Sequence, residues 1–157
     1  MRSLEKPVKM ESSVVNNPKE FIFGGKAEFT IRNTNSGRFY KYRITQSKSN
    51  EDIYFVKYTT SKDSWEYAGF LKVMKGTLFD DDEYIVKYSK GRNGTLDENA
   101  PAIKGIFYAI KHGDGPLPAP MEMTHHGRCC CCGKPLTNKT SVERGYGPEC
   151  RKRLRFR

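Results

Sequence analysis

The chain has 157 residues, 36% of them hydrophobic and 29% charged, with a formal net charge of +10. Aromatic residues make up 12% of the chain, which is too many for a disordered polymer, and the length suits one domain or a small domain with an appendage. No apolar run reaches the roughly 18 residues that a membrane-spanning helix needs, and the first residues lack the apolar segment of a secretory signal. We therefore expect a cytoplasmic protein with no membrane partner.

The first half of the chain has the pattern of a β-sheet. Residues 1–18 are polar and predict a flexible arm. Phe21 and Phe23 then begin an alternation of apolar and polar residues that is typical of half-buried strands. The predicted strands lie near 26–32, 39–44, 53–58 and 65–73, and short apolar stretches follow at 77–79 and 84–88. Turn-forming segments separate them, so we expect an antiparallel sheet of consecutive hairpins.

A single helix is predicted after the strands. Pro101 suits a first helical turn, and Gly113 suits the end. Between them, apolar residues recur at i, i+3, i+4 and i+7, at Ile103, Ile106, Phe107 and Ile110. The helix would cover one face of the sheet, which gives a β-rich domain with a terminal helix over 19–113. Three prolines make 114–120 a stiff linker to a C-terminal unit at 121–157.

The cysteines point to a metal site. All five lie between positions 129 and 150, and four are consecutive. Adjacent cysteines do not suit disulfide geometry, whereas a cysteine cluster near histidines is typical of metal binding. Cys129 and Cys132, followed by Gly133, have the spacing of a zinc knuckle, in which a tight turn presents two thiolates. Cys150 lies at a predicted helix start, and His125 is the best fourth ligand.

The segment from His125 to Cys150 resembles the C-terminal motif of a family of uncharacterised phage and plasmid proteins, classed as a domain of unknown function. The residues that carry the resemblance are His125, Gly127, Arg128, Cys129, Cys132, Gly133, Leu136, Thr137, Ser141, Val142, Glu143, Arg144, Gly145, Gly147, Pro148 and Cys150. The resemblance implies a treble-clef-like zinc unit, and it points to no particular activity because the family is uncharacterised. The predicted fold is therefore α+β: a small antiparallel sheet packed on one α-helix, followed by a C-terminal zinc-knuckle or treble-clef-like unit. A phage origin would place the protein in a host cytoplasm.

Several readings of the cysteines stay open. Cys130 and Cys131 depart from the family motif, and either of them, or His126, could replace an assigned ligand. Idle reduced cysteines, or a redox pair at Cys129 and Cys132, are further alternatives, although the context is not a thioredoxin-like unit. Four protein ligands would close the coordination sphere, and no deaminase or metalloprotease pattern is present. The sequence therefore favours a structural Zn²⁺ and no catalytic residues.

Positive charge is concentrated near the C-terminus. Residues 121–157 hold 9 Lys and Arg against 3 Asp and Glu, and a basic surface attracts nucleic acid through release of counterions. The predicted phosphate-binding residues there are Arg128, Lys134, Arg144, Arg151, Lys152, Arg153, Arg155 and Arg157. Rings and cations also alternate around Lys41 and Arg43. This pattern is typical either of a stacking platform for single strands or of a sheet whose rings face the core.

Three functions follow as hypotheses. The first is a non-catalytic zinc protein that binds DNA or RNA through its basic C-terminal unit. The alternative is a protein-interaction module that inhibits or redirects a host protein, for example a defence protein. A zinc-assisted hydrolase is the third, and it requires an open metal position that the predicted ligand set does not leave.

Overall fold

The computed structural model describes residues 13–61, 64–75, 84–112 and 115–154. In these residues six strands form one curled antiparallel sheet, accompanied by a few helices. The strands are β1 (Lys26–Asn33), β2 (Phe39–Gln46), β3 (Ile53–Thr59), β4 (Glu66–Lys75), β5 (Tyr84–Ser89) and β6 (Met121–His125). Their order across the sheet is β5-β4-β3-β2-β1-β6.

The helices are short. They are α1 (Pro18–Ile22), α2 (Pro101–His112), α3 (Lys139–Arg144) and a 3₁₀ helix at Pro148–Arg153. Within the described part of the chain, no helix has the length and apolar character needed to cross a membrane.

The antiparallel sheet confirms the prediction from alternating residues. Each strand from β1 to β5 pairs with its neighbours along the chain. One face is apolar because every second side chain points inward. Tyr42, Tyr54, Val56 and Leu71, which lie on this face, are fully buried. The short apolar stretch at 77–79 lies outside the described residues.

The inward face of the sheet is linked to α2 through a buried hydroxyl. Tyr42 donates a hydrogen bond of 2.7 Å to the carbonyl oxygen of Ala102. Burial raises the pKa of Tyr42, so its hydroxyl remains protonated and available as a donor. On the helix, Ile103, Ile106 and Ile110 are buried, as the i, i+3, i+7 spacing predicted. The finer prediction, a sheet packed on this one helix, stays a prediction.

The N-terminal segment differs from the sequence prediction. Val15, within the predicted flexible arm, is buried, and its backbone N–H donates to Met123 in β6. Phe21 and Phe23 were expected to begin a strand, and instead Phe21 lies in α1, with Phe23 just after it. The physical reason is Pro18 in the first turn, which presets a helical φ. Residues 1–12 of the predicted arm lie outside the described residues.

The C-terminal unit begins inside the sheet. β6, the first five residues of the predicted unit, pairs along β1 from Asn33 to Phe29. The preceding linker contributes Leu117, which is buried. The division into domains stays a prediction, but β6 places the cysteine segment directly beside β1 and α1.

Candidate metal centre

Three cysteines converge after β6. The sulfur atoms of Cys129, Cys132 and Cys150 all lie within 4.8 Å of one another. In a tetrahedral zinc site, Zn–S bonds of about 2.3 Å place the sulfurs roughly 3.8 Å apart. The three thiols therefore already stand close to the positions that a bound metal ion requires, and they form a cysteine cluster that could hold one.

The first two thiols come from a tight turn. The sulfur of Cys129 accepts hydrogen bonds from the backbone N–H groups of Cys131 at 3.4 Å and Cys132 at 3.5 Å. The turn closes when Gly133 donates its N–H to the carbonyl of Cys129. Gly133 has φ of +79°, a conformation that favours glycine. The predicted knuckle spacing thus forms a turn in which the backbone already solvates one sulfur.

The third thiol arrives from the last helices. Asn138 caps α3 by accepting the N–H of Ser141 at 2.9 Å, and Gly145 ends that helix with φ of +89°. The chain then turns so that the N–H of Gly147 donates to the sulfur of Cys129 at 3.4 Å. Pro148 begins the 3₁₀ helix that carries Cys150. The predicted helix start at Cys150 is present, as a 3₁₀ rather than an α-helix.

The thiols of the cluster differ in acidity. Burial raises the pKa of the Cys129 thiol, but hydrogen bonds from Cys132, Gly147 and Cys131 outweigh burial and bring the pKa below its ordinary value. Burial, followed by hydrogen bonds with the neighbouring thiols, raises the pKa of Cys150. Cys129 is therefore better prepared than Cys150 to become a thiolate before a metal arrives.

His125, the predicted fourth ligand, is not among the residues whose donor atoms converge in the cluster. It is 1% exposed and stacks on Phe21, with ring centroids 5.6 Å apart. Its Nδ1 accepts the N–H of Gly127 at 2.9 Å, and its Nε2 lies 2.7 Å from the carbonyl oxygen of Val142. Burial lowers the pKa of His125, which suits a neutral ring that uses both nitrogens in these bonds. To bind a metal held by the thiols, the ring of His125 would have to break one of these two hydrogen bonds.

The alternative ligands take three different environments. His126 lies against β1, where its Nε2 is 2.8 Å from the Thr30 hydroxyl. Cys130 is fully buried, and burial raises the pKa of its thiol, so it packs as a neutral side chain. Cys131 is half-buried and its thiol interacts with that of Cys150. Cys131 is therefore the further cysteine whose thiol lies beside the cluster.

Close packing holds Cys130 in place. A Cβ built on Gly24 would lie 2.5 Å from the sulfur of Cys130 and 2.6 Å from its carbonyl oxygen. That same carbonyl accepts the N–H of Lys26 at 2.7 Å. The cysteine segment is thus anchored to the start of β1, a contact that the sequence did not predict.

Basic side chains line the space beside the cluster. A cavity of about 290 Å³ beside the three thiols is lined by Lys134, Glu149 and Arg153, among others. Arg128, Arg144 and Arg151 are also exposed.

A second, larger cleft of about 640 Å³ is lined by Lys26, Glu28, Arg43, Arg128 and Cys132, among others. The structure thus brings the predicted Arg43 and Arg128 together. Lys26, which the sequence analysis did not single out, lines the same cleft. Arg155 and Arg157 lie outside the described residues.

Comparison with known proteins is informative for the C-terminal segment only. A family of unknown function (DUF6011) matches residues 119–155. No curated protein and no solved structure matches the chain. The match confirms the resemblance to a domain of unknown function, and the cysteine cluster lies within it. The phage or plasmid origin and the treble-clef comparison stay predictions.

Proposed function

We propose that the cysteine cluster holds one structural Zn²⁺ and that the metal-bound C-terminal unit binds nucleic acid without catalysing a reaction. The observation that carries the metal assignment is the convergence of three sulfurs within 4.8 Å, one of them accepting three backbone N–H bonds. Thiolates are the donors that zinc prefers in structural sites, and N–H bonds to the sulfur orient them.

Zinc suits this segment because it has little core of its own. After β6 it holds one six-residue α-helix and one six-residue 3₁₀ helix. Its buried apolar side chains are few, chiefly Leu136, Tyr146 and Leu154. A structural zinc ion supplies on the order of 10 kcal/mol to the folding of such a unit.

The absence of a carboxylate from the cluster favours a structural role. Among the described residues, the grouped donors are sulfurs alone, whereas a catalytic zinc works with an open position and a nearby base. With His125 engaged elsewhere, a closed structural site requires a fourth donor from outside these three cysteines. Cys131 is a candidate, since its thiol interacts with that of Cys150.

The basic residues supply the nucleic-acid contact. Arg128, Lys134, Arg144, Arg151 and Arg153 are exposed, and Lys134 and Arg153 line the cavity beside the cluster. Cations held on a rigid unit contact phosphates, which position the protein but read no sequence. Binding through such contacts weakens steeply as salt rises.

The experiment is a titration of labelled DNA and RNA with the zinc-loaded chain at several salt concentrations. We expect Lys134→Gln combined with Arg153→Gln to weaken binding and to reduce the salt slope by about two. The matched control is Lys104→Gln with Lys111→Gln, two exposed lysines on α2, and we expect no change in the slope. Absence of binding at low salt would overturn the nucleic-acid proposal. A protein complex that survives nuclease would then favour the alternative, a protein-interaction module.

A further inference from the structure

The face of the sheet that points away from the core is strongly basic. Strand alternation and pairing place seven Lys and Arg side chains on this open face in the described strands, against two acidic ones, Glu28 and Glu122. The cations are Lys26, Arg32, Lys41, Arg43, Lys57, Lys72 and Lys87. Arg43 lies directly opposite Lys57, and Lys72 directly opposite Lys87. Like charges side by side repel one another, so this arrangement favours a polyanion that neutralises them.

Aromatic rings lie among these cations. Phe55 is 40% exposed, although a solvent-facing strand position is normally polar. Phe70 is its partner on β4, and the ring of Tyr67 lies 6.3 Å from that of Phe55. Trp65 stacks on the Arg43 guanidinium, 4.1 Å from it. The sequence analysis raised a stacking platform around Lys41 and Arg43, but Tyr42, the ring between them, is fully buried in the core. The exposed rings belong to the opposite face.

A cleft connects the open face with the cysteine cluster. It has a volume of about 640 Å³, and the cations that line it are Lys26 from β1, Arg43 from β2 and Arg128 from the knuckle. The acidic residue in the cleft, Glu28, lies 3.5 Å from His126 and 3.7 Å from Arg43, so it is already paired. Cations from the sheet and from the cysteine segment therefore face one another across a space large enough for a phosphate group.

We propose that the open face, from this cleft to Phe55, binds single-stranded nucleic acid, with phosphates between Lys26, Arg43 and Arg128 and bases stacked on Phe55. The proposal rests on the proposed function and names its ligand class. Bases in a duplex have no free faces, whereas unpaired bases stack on exposed rings flanked by cations. The excess of positive charge favours a nucleic acid over an apolar protein surface as the occupant of this face.

The test compares an oligothymidylate of about 20 nucleotides with a duplex of the same length, by fluorescence anisotropy on the full zinc-loaded chain. Phe55→Ala is expected to weaken single-strand binding by about tenfold and duplex binding far less, since one stacked base is lost. Phe55→Tyr keeps the ring and should bind like the unaltered protein. Tyr108→Ala, which removes a ring that is 44% exposed on α2, is the matched control and should change neither affinity.

The outcomes separate this proposal from the one on which it rests. Binding by the unaltered chain that Phe55→Ala leaves unchanged would overturn the stacking proposal and leave the proposed function standing. No binding of either nucleic acid by the unaltered chain would overturn both. Because Phe55 is exposed, Phe55→Ala should retain the thermal midpoint of the unaltered chain. If its midpoint falls, Phe55→Tyr and Lys57→Gln decide. Affinity retained by Phe55→Tyr together with weaker binding by Lys57→Gln supports the proposal, and unchanged affinity in Lys57→Gln overturns it.

Discussion

The backbone N–H of Gly147 donates to the sulfur of Cys129 across 18 residues of chain, at 3.4 Å. This bond ties the segment that carries Cys150 to the knuckle that carries Cys129 and Cys132. The sulfur of Cys129 thus accepts N–H groups from both parts of the site, which is the environment that stabilises a thiolate. The geometry of the cluster therefore depends on backbone hydrogen bonds in addition to the cysteine side chains.

Glycine serves different purposes at two positions near the cluster, and substitution should separate them. Gly24→Ala would place a Cβ within 2.5 Å of the Cys130 sulfur, so we expect a loss of about 1–3 kcal/mol in the free energy of unfolding. Gly147→Ala meets no atom within 4 Å and keeps its N–H, so its stability and metal content should stay unchanged. Chemical denaturation of both variants measures this, and equal stabilities would contradict the packing at Gly24.

His125 should make the protein less stable in acid. Burial lowers its pKa in the folded chain, whereas the unfolded value is about 6.5. Above that pH both states are neutral and the histidine costs nothing. As the pH falls below about 6.5, the unfolded chain binds a proton that the folded chain does not, so stability falls until the folded pKa is reached.

The His125→Gln variant tests this account. The variant lacks the titrating group, so its free energy of unfolding should fall less than that of the unaltered chain between pH 7 and pH 5.5. The difference should reach up to about 1.4 kcal/mol per pH unit, as measured by chemical denaturation. At pH 7.5 it should retain its metal, since both ring nitrogens are engaged with Gly127 and Val142. Loss of metal from His125→Gln would instead support the sequence prediction that His125 is a ligand.

The bond between Tyr42 and Ala102 should contribute measurably to stability. Tyr42→Phe removes one buried hydrogen bond to the carbonyl oxygen of Ala102, so we expect a loss of about 1 kcal/mol in the free energy of unfolding. Tyr108→Phe removes a hydroxyl from an exposed ring on α2 and serves as the control. Equal stabilities of the two variants would show that the hydroxyl does not join α2 to the sheet.

Much of the fold could be predicted because its patterns are local. Phe29 and Ile31 alternate with polar neighbours, and the spacing of Ile103, Ile106 and Ile110 reports one buried helix face. β6 was missed although Met121 and Met123 alternate with polar residues, because five residues carry a weak signal and the pairing partner, β1, is distant in sequence.

The site could be predicted only in part, for a similar reason. The Cys129 and Cys132 spacing identifies the knuckle, since the turn is local. Whether a histidine joins the cluster depends on tertiary contacts, and the carbonyl of Val142 that engages His125 is fixed by α3. The contact between Gly24 and Cys130 likewise joins segments that are distant in sequence, so no local pattern predicts it.

Metal content per chain is the most direct test of the account. Protein prepared in reducing buffer should contain one Zn²⁺ per chain by elemental analysis, and Cys150→Ser should lose it. Cys130→Ala, which alters a buried cysteine outside the cluster, should keep the metal. Absence of stoichiometric zinc from the folded, unaltered chain, or full retention by Cys150→Ser, would contradict the proposal that these three sulfurs hold the ion.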